Sequence, residues 1–163
     1  MPCTWPVVRA GGMRGRQLPA WRVVCVMAGM LGKTLTVDAP PPLLMVVDDD
    51  ADLLWLMRGA LVRSGFAVQV STHAPTLQAV RDAHPAALVL DLEIGQESGE
   101  EVCREVKQAS DLVGLPVLLI SGKPGAALHG AAAQCGADAV LAKPFRLREL
   151  VQMAGKLLHR PAA

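Results

Sequence analysis

The sequence predicts an α/β fold, a doubly wound five-stranded parallel sheet with helices on both faces. Short, continuously apolar runs such as Leu43–Val47 and Ala87–Leu90 alternate about five times with helical patterns. Runs of this kind are typical of parallel strands that are buried on both faces. The 163 residues are 52% hydrophobic but only 3% aromatic. We therefore expect one domain whose core is filled by Ala, Val and Leu.

Five apolar runs are predicted to be the strands. They cover residues 43–47, 67–70, 87–90, 116–120 and 139–142. The carboxyl ends of parallel strands lie along one edge of a sheet, and ligands bind there in folds of this class. The polar residues that follow these runs should therefore share one crevice.

Five helices are predicted from apolar periodicity and capping residues. Asp50 caps the first helix, whose apolar stripe runs from Leu53 to Leu61 and which Gly65 ends. The second spans about residues 75–83. Ser98 and Glu101 have the spacing of a capping box and start the third.

The fourth helix, about Pro124 to Gln134, consists mostly of Ala and Gly, and the last has its apolar stripe between Leu147 and Leu158. Glycine inside a helix costs about 1 kcal/mol relative to alanine. Because the fourth helix also contains Gly130 and buries only small side chains, we expect it to be the least stable of the five.

Residues 1–42 are predicted to be an N-terminal extension, either disordered or the product of a start codon placed too far upstream, and residues 43–160 form the domain. Five basic residues and no acidic residue precede Asp38, and the apolar stretch Val23–Leu31 is too short to span a bilayer. Basic and acidic residues are nearly balanced, 16 to 15. That balance gives no indication of nucleic-acid or membrane binding.

Residues suited to phosphoryl chemistry follow four of the strands. Asp48-Asp49-Asp50 follow the first strand, Asp91 the third, Ser121 the fourth and Lys143 the fifth. Neighbouring carboxylates repel unless a cation lies between them, and all-oxygen ligands suit Mg²⁺. Asp91 is the natural nucleophile. Lys143, Ser121 and the metal would stabilise the oxygens of a transferring phosphoryl group.

In combination, these motifs resemble the response-regulator receiver domains of two-component signalling. The matching stretches are Val46–Asp50, Leu88–Asp91 with Gly99 downstream, Leu115–Gly122 and Gly136–Phe145. The resemblance implies a flavodoxin-like fold with Asp91 as the phosphoacceptor. It also implies that Asp48, Asp49, Asp91 and the backbone carbonyl of Glu93 bind Mg²⁺, and that Ser121 and Lys143 contact the phosphoryl group. A cis peptide bond between Lys143 and Pro144 is a further expectation.

The function that this resemblance implies is that of a stand-alone, cytoplasmic regulator. It would take a phosphoryl group from a histidine kinase or a phosphotransfer protein and then signal to a downstream protein partner. It would catalyse only its own phosphorylation and dephosphorylation. No DNA-binding segment follows the domain in this sequence, so neither direct DNA binding nor membrane binding is expected. The fourth helix, last strand and last helix form the expected docking surface.

Three positions depart from the family's pattern. Gly95 stands where proline is frequent, so we expect a more mobile loop. Glu93 and Lys123 occupy positions that influence hydrolysis of the acyl phosphate, and we expect them to pair across the mouth of the site. Val140 replaces the frequent aromatic residue three positions before Lys143. We therefore expect the fourth helix, instead of that ring, to transmit the signal.

Two other functions remain open. A phosphorylation-independent pseudo-receiver that acts as a protein-binding module is favoured by Val140 but opposed by the complete set of site residues. A haloacid-dehalogenase-like phosphatase would also use a strand-end aspartate. However, Asp52 stands where that family has Thr or Val, and only Glu149 follows the lysine where an acidic pair is needed.

Overall fold

The computed structural model describes residues 23–25, 35–37 and 40–159. The chain divides into two units, residues 1–41 and 42–163. In the first unit, strand Val23–Cys25 pairs antiparallel with strand Leu35–Val37. The rest of the predicted extension lies outside the described residues, so its disorder stays a prediction.

The second unit contains a five-stranded, fully parallel sheet. Its strands are β1 Leu43–Val47, β2 Ala67–Ser71, β3 Ala87–Asp91, β4 Val117–Ser121 and β5 Ala139–Ala142. Their order in the sheet is β2-β1-β3-β4-β5. This is the strand order of a flavodoxin-like, doubly wound sheet, and the predicted fold class is therefore confirmed.

Five helices connect and follow these strands. They are α1 Ala51–Arg63, α2 Leu77–Ala83, α3 Gly99–Gln108, α4 Gly125–Cys135 and α5 Leu147–Leu158. Within the described part of the chain, no helix has the length and apolar character needed to cross a bilayer.

Helix α2 begins later than predicted. Thr76 is its N-cap, with the hydroxyl accepting from the Ala79 amide at 3.2 Å, and Pro75 therefore lies outside the helix. Pro124 likewise precedes α4 as its N-cap. Cys135 is the last residue of α4, one beyond the predicted Gln134, and Gly136, at a φ of 79°, follows as the C-cap.

The core consists of two layers, one on each face of the sheet. Alternate residues of each central strand point to opposite faces. Met45 and Leu88 pack towards α2, α3 and α4 in one cluster, whereas Leu44 and Val89 pack towards α1 and α5 in the other. Both faces are covered, which explains why the central strands appear in the sequence as unbroken apolar runs.

A small hairpin follows β3, and the sequence did not predict it. Strand Glu93–Ile94 pairs antiparallel with strand Glu97–Ser98, and Gly95 and Gln96 form the turn. Gly95 has a φ of 62°, as a two-residue hairpin turn with glycine in its first position requires.

The predicted start of α3 is correct, since the Ser98 hydroxyl accepts from the Glu101 amide at 3.4 Å. This is one of the two bonds of a capping box. The other type, in which the carboxylate of an N3 glutamate accepts from the N-cap amide, occurs at α5 between Glu149 and Arg146 at 3.0 Å.

Candidate functional site

Four neighbouring strands bring the predicted residues to one edge of the sheet. Asp48 follows β1, Asp91 and Ser121 are the last residues of β3 and β4, and Lys143 follows β5. Because these strands are parallel and adjacent, their carboxyl ends meet. The Lys143 amide donates to the Ser121 carbonyl at 2.7 Å, which extends the pairing of β4 with β5 into the site.

Three carboxylates form the acidic part of the site. Asp48, Asp49 and Asp91 each offer one oxygen, and these oxygens lie within 4.8 Å of one another. Asp48 is fully buried and Asp91 is 6% exposed, whereas Asp49 is exposed. Three carboxylates at this spacing are a ligand set that suits a hard divalent cation.

Asp50 has a different role from the two aspartates that precede it. Its Oδ1 accepts from the amides of Asp52 and Leu53, both at 3.0 Å, and so caps α1. The Asp48-Asp49-Asp50 run is thus divided between the acidic cluster and a helix cap.

Lys143 lies between the two buried carboxylates. Its Nζ is 2.7 Å from Asp48 Oδ2 and 2.5 Å from Asp91 Oδ2. One ammonium group therefore faces at least two carboxylates, and the site retains negative charge that a bound cation could neutralise.

The pKa values of these groups follow from their burial and mutual contacts. Burial raises the pKa of Asp48, with the charge of Asp91 adding to it, and this outweighs the hydrogen bonds from Lys143 and the Asp50 amide. Burial by itself lowers the pKa of Lys143. Its hydrogen bonds to Asp48 and Asp91 outweigh that effect, so the pKa is raised overall. Lys143 is therefore a charged ammonium group at neutral pH.

Two backbone amides fix the side chains at the ends of β3 and β4. The Glu93 amide donates to Asp91 Oδ1 at 3.2 Å, and the Lys123 amide donates to Ser121 Oγ at 3.0 Å. Ser121 is fully buried. A hydroxyl group that accepts one hydrogen bond still has its own hydrogen to donate, so Ser121 can donate to an oxygen bound at the site.

Gly99 packs directly against the backbone of Asp91. A Cβ at position 99 would lie 1.8 Å from the Asp91 carbonyl oxygen. The Gly99 amide also donates to the Leu92 carbonyl at 3.1 Å. Sequence reasoning noted Gly99 only as part of a motif, because nothing local distinguishes it from an ordinary glycine at a helix start.

The four histidines and the described cysteines lie outside this chemistry. Cys103 and Cys135 are buried and free, and burial raises the pKa of the Cys103 thiol. The Cys103 thiol donates to the Cys135 carbonyl at 3.6 Å. The histidines are all exposed: His73, His84, His129 and His159.

Comparison with protein families shows which family the chain belongs to. The model of the response regulator receiver domain matches residues 44–155. The chain belongs to this family. Curated relatives include the response regulator MprA of Mycobacterium sp. (strain KMS), 32% identical over 121 residues. That match covers 74% of this chain and 52% of the relative. MprA of Mycobacterium ulcerans is 33% identical over 118 residues, covering 72% and 50%. The chain spans about half the length of these relatives.

Solved receiver structures share the fold. The receiver domain of NtrX from Brucella abortus superposes with a TM-score of 0.65 at 28% identity, covering 72% of this chain and 99% of that one. The Vibrio cholerae chemotaxis protein CheY4 gives a TM-score of 0.67 at 19% identity, covering 72% and 98%.

The first departure of this receiver from the family's pattern lies in the hairpin turn. Gly95 has a positive φ, and its amide donates to Asp49 Oδ2 at 3.1 Å. Proline can do neither, because its φ is fixed near −65° and it lacks an N–H group. The turn therefore differs in structure from one that contains proline. The expected mobility of the loop stays a prediction.

The second departure is an ion pair at the mouth of the receiver's site. Lys123 Nζ lies 3.3 Å from Glu93 Oε1, so the two side chains pair as the sequence predicted. They are 47% and 67% exposed. A pair this exposed contributes at most about 1 kcal/mol to stability.

The third departure is Val140 in β5. It is half-buried, pairs with Leu119 of β4, and packs against the cluster shared with α4. The receiver thus has an aliphatic side chain where many relatives have a ring. The Lys143–Pro144 peptide bond is cis, as the resemblance implied.

Proposed function

We propose that this receiver accepts a phosphoryl group on Asp91 with the help of Mg²⁺. The observation that carries the proposal is the contact of Lys143 with both Asp48 and Asp91 at a strand edge that also holds Ser121. These groups match, by type and position, what phosphoryl transfer to a carboxylate needs.

The acidic cluster supports a bound Mg²⁺ ion. Asp48, Asp49 and Asp91 would hold it, together with the backbone carbonyl of Glu93. Carboxylate and carbonyl oxygens are its usual protein ligands, and Lys143 alone does not balance the cluster's charge. When bound, Mg²⁺ supplies positive charge to the phosphoryl oxygens during transfer.

The chain's own residues would carry the transfer. A carboxylate oxygen of Asp91 attacks the phosphorus of a phosphohistidine on the donor. The O–P bond forms as the P–N bond breaks, and the bonding electron pair leaves with the imidazole. The Lys143 ammonium and the Ser121 hydroxyl then donate hydrogen bonds to the phosphoryl oxygens. The Glu93 amide keeps Asp91 oriented throughout.

The partners follow from this chemistry. The phosphodonor is a histidine kinase or phosphotransfer protein, which places the reaction in the cytoplasm, and a downstream protein reads the phosphorylated form. Because the chain spans about half the length of its curated relatives, the expectation that it acts without an output domain stays a prediction.

Helix α4 is the proposed moving element. Only three of its 11 residues are buried, and its N-terminus has no side-chain cap. It packs against β4 and β5, which deliver Ser121 and Lys143. A shift of Ser121 towards a phosphoryl oxygen would therefore reach α4 directly. Equal amide-exchange protection of α4 before and after phosphorylation would contradict this route.

The central test is incubation with a small phosphodonor and Mg²⁺, followed by mass spectrometry of the intact protein. We expect one added phosphoryl group in the wild type and none in Asp91→Asn. Asp111→Asn, at an exposed carboxylate that pairs with Arg81, should leave the adduct unchanged. The proposal fails if the wild type gains no adduct or if Asp91→Asn keeps it.

A pseudo-receiver that binds a partner without phosphorylation is the second candidate, and Val140 is the observation that favours it. An absent adduct in a protein that still binds Mg²⁺ would support this function.

The ion pair of Glu93 and Lys123 is proposed to slow hydrolysis of the phosphorylated form by restricting water at the mouth of the site. Lys123→Ala should then shorten the lifetime of the adduct. An unchanged lifetime would show that the pair has no such role.

A further inference from the structure

The hairpin after β3 is tied to both neighbouring loops. On one side, the Gly95 amide donates to Asp49 Oδ2 across 46 residues of sequence. On the other, the Glu97 carboxylate accepts from the Ala74 amide at 2.8 Å. A cleft of about 570 Å³, lined by Thr72, His73 and others, lies beside the turn. These two polar contacts therefore tie the exposed turn to the loops on either side, while Ile94 beside it is buried in the core.

Asp49 depends on this turn more than the other carboxylates do. Asp48 and Asp91 are buried and held by Lys143, whereas Asp49 is exposed. An exposed aspartate has several rotamers. Fixing one of them before an ion binds lowers the entropic cost of binding and so increases affinity. The Gly95 amide contacts only Oδ2, which leaves the other oxygen available to a cation.

We propose that Gly95 is a positioning residue for the metal site, and that its amide holds Asp49 in the orientation that binds Mg²⁺. This inference rests on the proposed function, because it concerns the same metal. It assigns a role to a position where the family frequently has proline, a residue that offers no N–H group.

Three substitutions of Gly95 distinguish the effect of its N–H group from the effect of its positive φ. Gly95→Pro removes the N–H group and cannot adopt the positive φ. Gly95→Ala keeps the N–H group but is strained at this φ, and Gly95→Asn keeps it and is less strained at a positive φ. Gly130→Ala is the matched control, since the added methyl group meets no atom within 4 Å and φ is not positive there.

The first experiment measures Mg²⁺ binding to the unphosphorylated protein by isothermal titration calorimetry. We expect Gly95→Pro to bind Mg²⁺ about three- to tenfold more weakly, the range expected for one lost hydrogen bond. Gly95→Ala should fall between Gly95→Pro and the wild type, while Gly95→Asn and Gly130→Ala should bind nearly as the wild type does.

A second measurement does not require Gly95→Pro to fold. The amide of Gly95 should exchange several-fold faster in Asp49→Ala than in the wild type. Asp52→Ala, an exposed carboxylate in the first turn of α1, should leave the exchange rate unchanged.

Equal Mg²⁺ affinity in the wild type and Gly95→Pro, or unchanged Gly95 exchange in Asp49→Ala, would overturn this inference and leave the proposed phosphoryl chemistry intact. A wild type that binds no Mg²⁺ would overturn both.

Discussion

Replacing Lys143 with methionine tests the electrostatics of the site most directly. The substitution keeps an unbranched side chain but removes the ammonium group that contacts Asp48 and Asp91. Both carboxylates are buried. Without Lys143 they would face each other across the strand edge with no neutralising side chain between them.

The expected loss of stability follows from their separation. Oxygens of the two carboxylates lie within 4.8 Å of each other, and two unit charges at that upper limit repel by about 3.5 kcal/mol at an effective dielectric constant of 20. A quarter of the Lys143 side chain is exposed, so solvent reduces this value. Removing one member of a buried ion pair costs about 3–5 kcal/mol in general. We therefore expect Lys143→Met to lower the free energy of unfolding by about 2–3 kcal/mol at pH 7 without metal.

Urea unfolding at two pH values, with chelator or with Mg²⁺, checks this value. Burial raises the pKa of Asp48 above 3.8 in the folded state, so the folded protein binds a proton more readily than the unfolded chain does. Repulsion in the variant is relieved as pH falls towards that raised pKa. The stability deficit should thus be smaller at pH 5 than at pH 7. It should also be smaller in saturating Mg²⁺, because the proposed metal site exists only in the folded state.

Lys123→Met is the control, because Lys123 is 47% exposed and pairs with an exposed partner. Lys123→Met should lower the free energy of unfolding by less than about 1 kcal/mol. A deficit in Lys143→Met that is equal at both pH values and unaffected by Mg²⁺ would refute the electrostatic reasoning. Such a result would mean that the lower stability comes from lost packing of the aliphatic part of the Lys143 side chain.

Three further predictions concern stability. In urea unfolding, Gly99→Ala should lower the free energy of unfolding by more than about 3 kcal/mol, because the added Cβ would overlap the Asp91 carbonyl. Gly114→Ala is the control, since nothing lies within 4 Å of that position, and an equally small loss in both variants would contradict the contact. Gly130→Ala should raise the same quantity by about 1 kcal/mol and slow amide exchange in α4, and a decrease would show that the position is not freely exposed. Because its contacts raise the pKa of Lys143, this lysine's contribution is complete below pH 10.5 and lost as pH rises through the raised folded value. Alkaline unfolding of the wild type should therefore be steeper than that of Lys143→Met.

The sheet and the strand-end residues could be predicted from the sequence because both depend on short-range patterns. A short apolar run such as Val117–Ile120, flanked by Pro116 and Gly122, indicates a buried strand, and the carboxyl ends of parallel strands lie at a common edge. Asp91, Ser121 and Lys143 therefore came together once the strands were assigned. The predicted ends differed by one or two residues because caps such as Thr76 act through side-chain bonds that periodicity does not reveal.

The loops around the site could not be predicted in the same way. The hairpin that contains Gly95 depends on a bond to Asp49, and the glycine at position 99 depends on a backbone that arrives from β3. Neither partner is adjacent in sequence. The capping role of Asp50, by contrast, was predicted correctly from its position directly before the apolar stripe of α1.

The departures of this receiver from its family lie mainly in the loops for a physical reason. The position of a strand-end residue is fixed by register in a sheet buried on both faces, and a slip of one residue would turn every side chain towards the wrong layer. Loop residues such as Glu93, Gly95 and Lys123 are exposed and can change without that cost. Gly95 nevertheless contacts the site through its bond to Asp49, and Glu93 and Lys123 pair at the mouth of the site. We therefore expect Mg²⁺ affinity and the lifetime of the phosphorylated form to be set by these loops, while the reaction itself depends on the strand ends.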